Sequence, residues 1–113
     1  MDSLSASSEQ DALELLHQLG CTDGLPVVIP TADRVARMVL ATGHEPDLVL
    51  GVMGPLLGSA TIEKVAAAAA MAGCLPDHMP VVVAAVQAVC QPEFDLTEMQ
   101  ATTHCTAPLI IVC

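Results

Sequence analysis

The run of five consecutive alanines at residues 66–70 constrains the fold more than any other stretch of this sequence. Val65 precedes the run and Met71 follows it, so every face of a helix formed here would be apolar. A helix that is apolar all round is typical of a protein interior, and small side chains let neighbouring backbones approach closely. We therefore predict a central buried helix around which the rest of the chain is arranged.

Residues on both sides of the alanine run indicate where this helix begins and ends. Ser59 and Thr61 are candidate N-caps, and Glu63 would place a negative charge at the positive end of the helix dipole. Gly73 can adopt the left-handed conformation that commonly follows a helix, and a proline three residues later prevents continuation. The predicted helix covers residues 59–73.

Three further helices are predicted from apolar periodicity and from capping residues. They cover residues 8–20, 31–43 and 81–90. Residues 1–7 are small and polar, and we predict that they form a disordered tail.

Short apolar stretches between the helices predict strands. The stretch 47–53 has the pattern of a buried strand, and two more strands are predicted at 98–103 and 109–113. Alternation of helices and strands indicates an α/β fold in which helices pack against a small sheet. Residues 8–113 are therefore predicted to form a single α/β domain.

The charge balance limits the partners that the protein can have. Thirteen acidic residues against three basic ones give a formal net charge of −10, so the phosphates of a nucleic acid would repel this chain. No apolar run reaches the ~18 residues that a membrane span requires. We see no signal-peptide pattern at the N-terminus, and five cysteines without one favour free thiols in the cytoplasm.

The apolar content predicts a protein partner. Apolar residues make up 53% of the chain, and Phe94 is its single aromatic residue. The sequence also remains apolar through LIIVC at residues 109–113, whereas the ends of most domains are polar. We expect a second protein chain to cover part of this apolar surface, which would make the assembly a hetero-oligomer.

Two groups of polar residues flank the predicted helices and could carry chemistry. Asp23 and Gly24 follow a cysteine on a tight turn, although an aspartate there most often bonds its own backbone. Glu63 and Lys64 could be a solvated pair, but the rest of their helix is so apolar that a position facing a cleft is favoured.

Two further groups contain thiols and imidazoles. Cys74 follows a helix C-terminus, where the dipole disfavours a thiolate, so a buried structural cysteine is the simpler interpretation. Together with His78, His104 and Cys105 it supplies the two Cys and two His of a zinc site. The spacing matches no zinc-finger pattern, and adjacent residues of a strand point to opposite sides. We therefore expect no metal and no cofactor, and a zinc-thiolate protein is our third hypothesis.

Three stretches taken together resemble a known protein family. They are DGLPVVIPTADRV at 23–35, ATIEKVAAAAAMAGCLPDHMPVV at 60–82 and MQATTHCTAPLIIV at 99–112. The combination is similar to the N-terminal half of the bacterial UGSC-motif proteins, named for a selenocysteine- or cysteine-containing motif later in the chain. The resemblance implies an α/β fold and an enzyme with thiol or selenol chemistry.

The chain also departs from that family pattern. Ala68 stands where an asparagine is usual, and Ile29 stands where a proline is usual. The Asn-Gly-Pro expected after the last strand is missing because the sequence stops at Cys113, and the motif that gives the family its name is missing too. The resemblance therefore implies that another chain supplies the nucleophile.

The resemblance also implies roles for the matching polar residues. Asp23 or Glu63 could serve as acid or base, and Lys64 or Arg34 could hold an anionic substrate group. Thr103 and His104 would line the pocket. The predicted catalytic residues are Asp23, Glu63, Lys64 and Cys74. The predicted substrate-binding residues are Gly24, Arg34, Thr102, Thr103 and His104.

These observations lead to a first hypothesis and an alternative. The first is a small subunit of a split, heteromeric bacterial enzyme that carries out a thiol-dependent lyase- or hydrolase-type step on a small organic molecule. The alternative is a non-catalytic scaffold or binding subunit that stabilises a catalytic partner.

Overall fold

Five α-helices and two β-strands are present in residues 4–113, which are the residues that the computed structural model describes. In chain order they are α1 (Glu9–Gln18), α2 (Ala32–Thr42), β1 (Val49–Met53), β2 (Gly58–Thr61), α3 (Ile62–Met71), α4 (Met79–Val89) and α5 (Leu96–Ala101). Single 3-10 turns at Pro76–His78 and Pro92–Phe94 precede α4 and α5. The first three residues of the predicted tail lie outside the described range, and residues 4–7 are exposed, with no helix or strand.

Helix α3 is the buried central helix that the alanine run predicts. Its buried side chains are Ile62, Val65, Ala66, Ala67, Ala69 and Ala70. The predicted start at residue 59 is three residues too early, because Gly58–Thr61 pair as strand β2. Thr61 ends that strand and caps α3, since its hydroxyl accepts a hydrogen bond from the backbone N–H of Lys64 at 3.3 Å.

The C-terminal end of α3 is closed by a Schellman motif. Gly73 has a φ of 80°, and its N–H donates to the carbonyl of Ala70 at 3.0 Å. The N–H of Cys74 donates to the carbonyl of Ala69 at 2.9 Å. This pair of hydrogen bonds satisfies two terminal carbonyls, and the left-handed backbone explains the glycine.

Helices α2 and α4 pack against α3 and against each other. From α2, Val35 and Met38 enter the core, and from α4, Met79 and Val83 do so. Burial of each such side chain contributes about 1.5–3 kcal/mol, whereas an alanine contributes less because it has fewer apolar atoms. These four residues therefore add most of the larger side chains to a core that is otherwise rich in alanine.

The sheet consists of β1 and β2, which pair in antiparallel orientation with a register irregularity between Val49 and Gly51. The predicted strand at 47–53 exists, but the prediction that it is buried was wrong, since Val49 and Val52 are exposed. Leu50 packs against the core, and α4 contacts β1. The fold is thus the predicted one, helices packed against a small sheet.

The last predicted strands are wrong. Residues 98–103 fall mostly in helix α5, where Leu96, Met99 and Gln100 follow a helical spacing and the N–H of Met99 donates to the carbonyl of Asp95 at 3.0 Å. The stretch 109–113 is exposed and forms neither strand nor helix. Its side chains favour a strand, but it pairs with neither strand of the sheet in the described chain.

Within residues 4–113, every helix is too short or too polar to cross a lipid bilayer.

Candidate functional site

The N-terminal end of α3 holds the charged pair Glu63 and Lys64. The Lys64 ammonium donates to the carbonyl of Ser59 at 3.1 Å, and the backbone N–H of Glu63 donates to the carbonyl of Pro46 at 2.9 Å. Lys64 is exposed and Glu63 is half-buried. The backbone contacts attach the start of α3 to the segment that leads into β1.

The opposite end of α3 holds Cys74 and His78. Cys74 is half-buried and packs against the core. The His78 Nδ1 accepts a hydrogen bond from the backbone N–H of Leu75 at 3.2 Å, which closes the 3-10 turn. Cys21 takes the same position after α1 as Cys74 after α3, since its N–H donates to the carbonyl of Leu16 at 2.9 Å. Both thiols follow a helix-ending glycine, but Cys21 is exposed whereas Cys74 packs against the core, and this packing favours the structural interpretation of Cys74.

The loop before α2 carries Asp23 and Gly24, and Arg34 lies in the first turn of α2. An Asp23 carboxylate oxygen accepts the N–H of Leu25 at 3.0 Å, and Gly24 has a φ of 90°. This is the aspartate turn that residue preference favours. The Arg34 guanidinium donates to the carbonyl of Ile29 at 2.8 Å. The Arg34 guanidinium therefore helps to hold the loop that precedes α2.

This loop is attached to the Cys74 end of α3. The N–H of Val28 donates to the carbonyl of Met71 at 3.0 Å. A Cβ at Gly73 would lie 4.0 Å from the Val28 side chain. Cys74 and the segment that Arg34 holds therefore lie near one another.

The segment Thr102–His104 is exposed and follows α5. The Thr102 hydroxyl accepts the N–H of His104 at 3.2 Å, and the Thr106 hydroxyl donates to the carbonyl of Met99 at 3.0 Å. These local hydrogen bonds form a turn that keeps the segment beside the end of α5.

The structure does not bring the predicted catalytic residues together. Glu63 and Lys64 begin α3 and Cys74 follows its end, so the ten-residue helix separates them by ~15 Å. Groups that act on one reacting centre lie within about 3–3.5 Å of the atoms involved. A single site in this chain could therefore use one end of α3 but not both.

The four candidate zinc ligands do not assemble in this geometry. Among residues 4–113, no three His, Cys, Asp or Glu side chains are grouped closely enough to hold a metal ion. The two Cys and two His counted from the sequence therefore do not form one centre in the described chain.

One concave surface of the chain is lined mainly by apolar residues, and sequence reasoning missed it. We call it the α4–α5 groove; its volume is about 430 Å³. Its lining is formed by Met53, Gly54, Pro55, Val81, Val82, Ala85, Val86, Val89, Leu96, Gln100, Pro108 and Ile110. The lining comes from four separate segments of the chain, so no single motif could have indicated it.

Other exposed apolar residues lie next to groove-lining residues in the sequence. The β1–β2 turn carries Leu56, which is 93% exposed, and Leu57, which is 68% exposed. Beyond Pro108, the side chains of residues 109–112 are all exposed. In the described chain, more large hydrophobic side chains are exposed than buried.

The accessible surface of the chain is correspondingly large. It measures 7844 Å², whereas a folded monomer of 11.6 kDa is expected to expose about 5,800 Å². The radius of gyration, 14.7 Å, also exceeds the roughly 13 Å expected for a domain of this length. The excess surface is therefore about 2,000 Å².

Comparison with family models, with curated proteins and with solved structures gives no match for this chain. The resemblance to the UGSC-motif proteins consequently stays a prediction.

Proposed function

We propose that this chain is a small subunit of a hetero-oligomeric enzyme, and that a partner chain covers its apolar surface and supplies the reacting thiol. The reaction would be a thiol-dependent lyase- or hydrolase-type step on a small organic molecule. The exposed apolar surface around the α4–α5 groove is the observation that carries the proposal. Soluble monomers rarely expose contiguous apolar patches of more than a few hundred Å².

The size of the excess surface agrees with such an assembly. Obligate interfaces bury about 2,000 Å² or more in total, counted over both partners. An excess of about 2,000 Å² on this chain alone would be enough for its half of such an interface. Covering the groove and the exposed stretch 109–112 would remove part of that excess.

The position of Thr102–His104 supports a catalytic role for the assembly. These residues lie between Gln100 and Pro108, and both of those line the groove. A chain that covers the groove would therefore approach the two hydroxyls and the imidazole, which are exposed in this structure. In this proposal they line a pocket formed with the partner, and the partner's thiol would act there.

A test of the assembly begins with the chain produced alone. We expect heterogeneous, concentration-dependent association in size-exclusion chromatography with light scattering, because the uncovered apolar surface favours association. A monodisperse monomer of 11.6 kDa that is fully folded by circular dichroism would refute the proposal.

The second candidate is a non-catalytic scaffold subunit, which the separation of Glu63 and Lys64 from Cys74 favours. Glu63→Gln and Lys64→Met in the purified complex distinguish the two functions. A catalytic role for the pair predicts at least a tenfold loss of turnover with unchanged assembly, equivalent to ~1.4 kcal/mol of barrier. Full turnover in both variants, together with loss of turnover when the chain is omitted, would favour the scaffold.

A further inference from the structure

The wall of the α4–α5 groove is a helical stripe. Val81, Ala85 and Val89 recur every four residues along α4, and Val82 and Val86 lie beside them. The stripe runs for ~12 Å along the helix. Opposite it, Leu96 and Gln100 of α5 are also four residues apart and line the same groove.

A groove of this kind suits a helix. Amphipathic helices bind apolar grooves through anchors spaced three and four residues apart, which is the spacing on α4. The small side chain of Ala85 lies in the middle of the stripe, so an incoming helix can approach α4 closely there. An extended peptide would instead gain most from pairing with an open sheet edge, and β1 contributes only its last residue, Met53, to this groove.

The charge around the groove is negative. Asp95 is adjacent to Leu96, and Glu93 and Glu98 are within three residues of it; all three are exposed. Asp77 lies just before α4 and is also exposed. The sequence has no lysine or arginine after Lys64, so no such charge in that half of the chain offsets these carboxylates. A partner with positive charge beside its apolar face would therefore be attracted, and a negative one repelled.

We propose that the α4–α5 groove binds an amphipathic helix of a partner chain, and that lysines or arginines flank the apolar face of that helix. This inference rests on the proposed function, because it describes the partner that the proposed assembly requires. A second copy of this chain is a poorer occupant, since its net charge of −10 would bring like charges together.

The test uses the full chain at low micromolar concentration and two fluorescent synthetic helical peptides. Both peptides carry the same leucine and alanine stripe, and their flanks contain either lysines or glutamates. We expect the lysine peptide to bind at least tenfold more tightly at low salt, as measured by fluorescence anisotropy. The preference should shrink at 0.5 M salt, because ions screen exposed charges.

Substitutions in the chain test whether the lysine peptide binds in the α4–α5 groove. Val81 lies in the groove and is 45% exposed, so Val81→Asp should weaken binding of the lysine peptide at least tenfold without unfolding the chain. Leu40→Asp is the matched control, because Leu40 is 80% exposed on α2 and does not line the groove. The double variant Glu93→Gln, Glu98→Gln should reduce the ratio between the affinities for the lysine peptide and the glutamate peptide. Circular dichroism checks that each variant is folded.

Three outcomes would overturn the inference. They are equal binding of the two peptides, binding that Val81→Asp leaves unchanged, and a discrete homodimer that Val81→Asp dissolves. The last outcome would identify a second copy as the occupant.

Failure of this inference can be separated from failure of the proposed function. If Leu56→Asp abolishes self-association and Val81→Asp does not, the partner surface lies at the β1–β2 turn. The proposed function would then stand without this inference.

Discussion

Replacing Gly51 by alanine tests how α4 is held against the sheet, and therefore how the groove is built. A Cβ added at Gly51 would lie 2.5 Å from the Cβ of Cys90 and 2.9 Å from its sulfur. Both contacts are far shorter than van der Waals distances, so β1 and the end of α4 must move apart. Overpacking of this kind costs about 1–3 kcal/mol.

Gly58→Ala is the matched control for Gly51→Ala. Gly58 lies in β2, and a Cβ added there would meet no atom within 4 Å. The same substitution should therefore be neutral or slightly stabilising, because alanine has less conformational freedom than glycine in the unfolded chain.

Urea unfolding followed by circular dichroism measures the difference between these variants. With a slope of about 1–2 kcal/mol per molar urea, a loss of about 2 kcal/mol lowers the midpoint by roughly 1–2 M. Gly51→Ala should also weaken binding of the lysine peptide, because the shifted helix α4 carries Val86 and Val89 of the groove. Equal midpoints for Gly51→Ala and Gly58→Ala would refute the packing argument.

Two further predictions concern helix ends. Hydrogen bonds from Ser7 and, to a smaller extent, from Ser8 lower the pKa of the Asp11 carboxyl below its ordinary value of 3.8. The ionised carboxylate therefore stabilises the fold above pH 3.8, and this contribution is lost as the pH falls below that value. The difference in urea midpoint between wild type and Asp11→Asn should accordingly be smaller at pH 3 than at pH 6, and an equal difference would contradict this. Gly73→Ala should cost about 1–2 kcal/mol in the same assay because φ is positive there, and an unchanged midpoint would contradict that reasoning.

Local signals predicted the helices around the core well. The caps at Ser8, Thr31 and Thr61 each accept the backbone N–H three residues later. The alanine run predicted burial because no residue from Val65 to Met71 is polar, although Ala68 is exposed on the same face as Lys64. Such features depend on residues close in sequence, so they can be recognised without knowledge of the tertiary structure.

The C-terminal third could not be predicted in the same way. The β-branched residues at 110–112 favour a strand, but a strand also needs a neighbour to complete its hydrogen bonds, and that is a property of the whole fold. The start of α5 was missed as well. This helix begins after Asp95, which has a φ of 52°, and nothing in the sequence indicates that backbone conformation. Helix formation there overrides the strand preference that we assigned to residues 98–103.

The candidate site was predicted in composition but not in arrangement. Asp23, Arg34 and Thr102 each take part in hydrogen bonds with nearby backbone, which residue type alone did not settle. The ends of a ten-residue helix lie too far apart for one centre, and the helix predicted over 59–73 already separated Glu63 from Cys74. The groove was missed because its walls come from distant parts of the chain.

The alanine-rich core has a consequence for how much of this protein a cell can maintain. Because α3 buries six residues of which four are alanines, the chain gains little free energy from its own interior. If a partner supplies the remainder, stability rises with the concentration of that partner by mass action. Copies made in excess would unfold more often and be degraded, so the abundance of this chain would follow the abundance of its partner without any dedicated regulator.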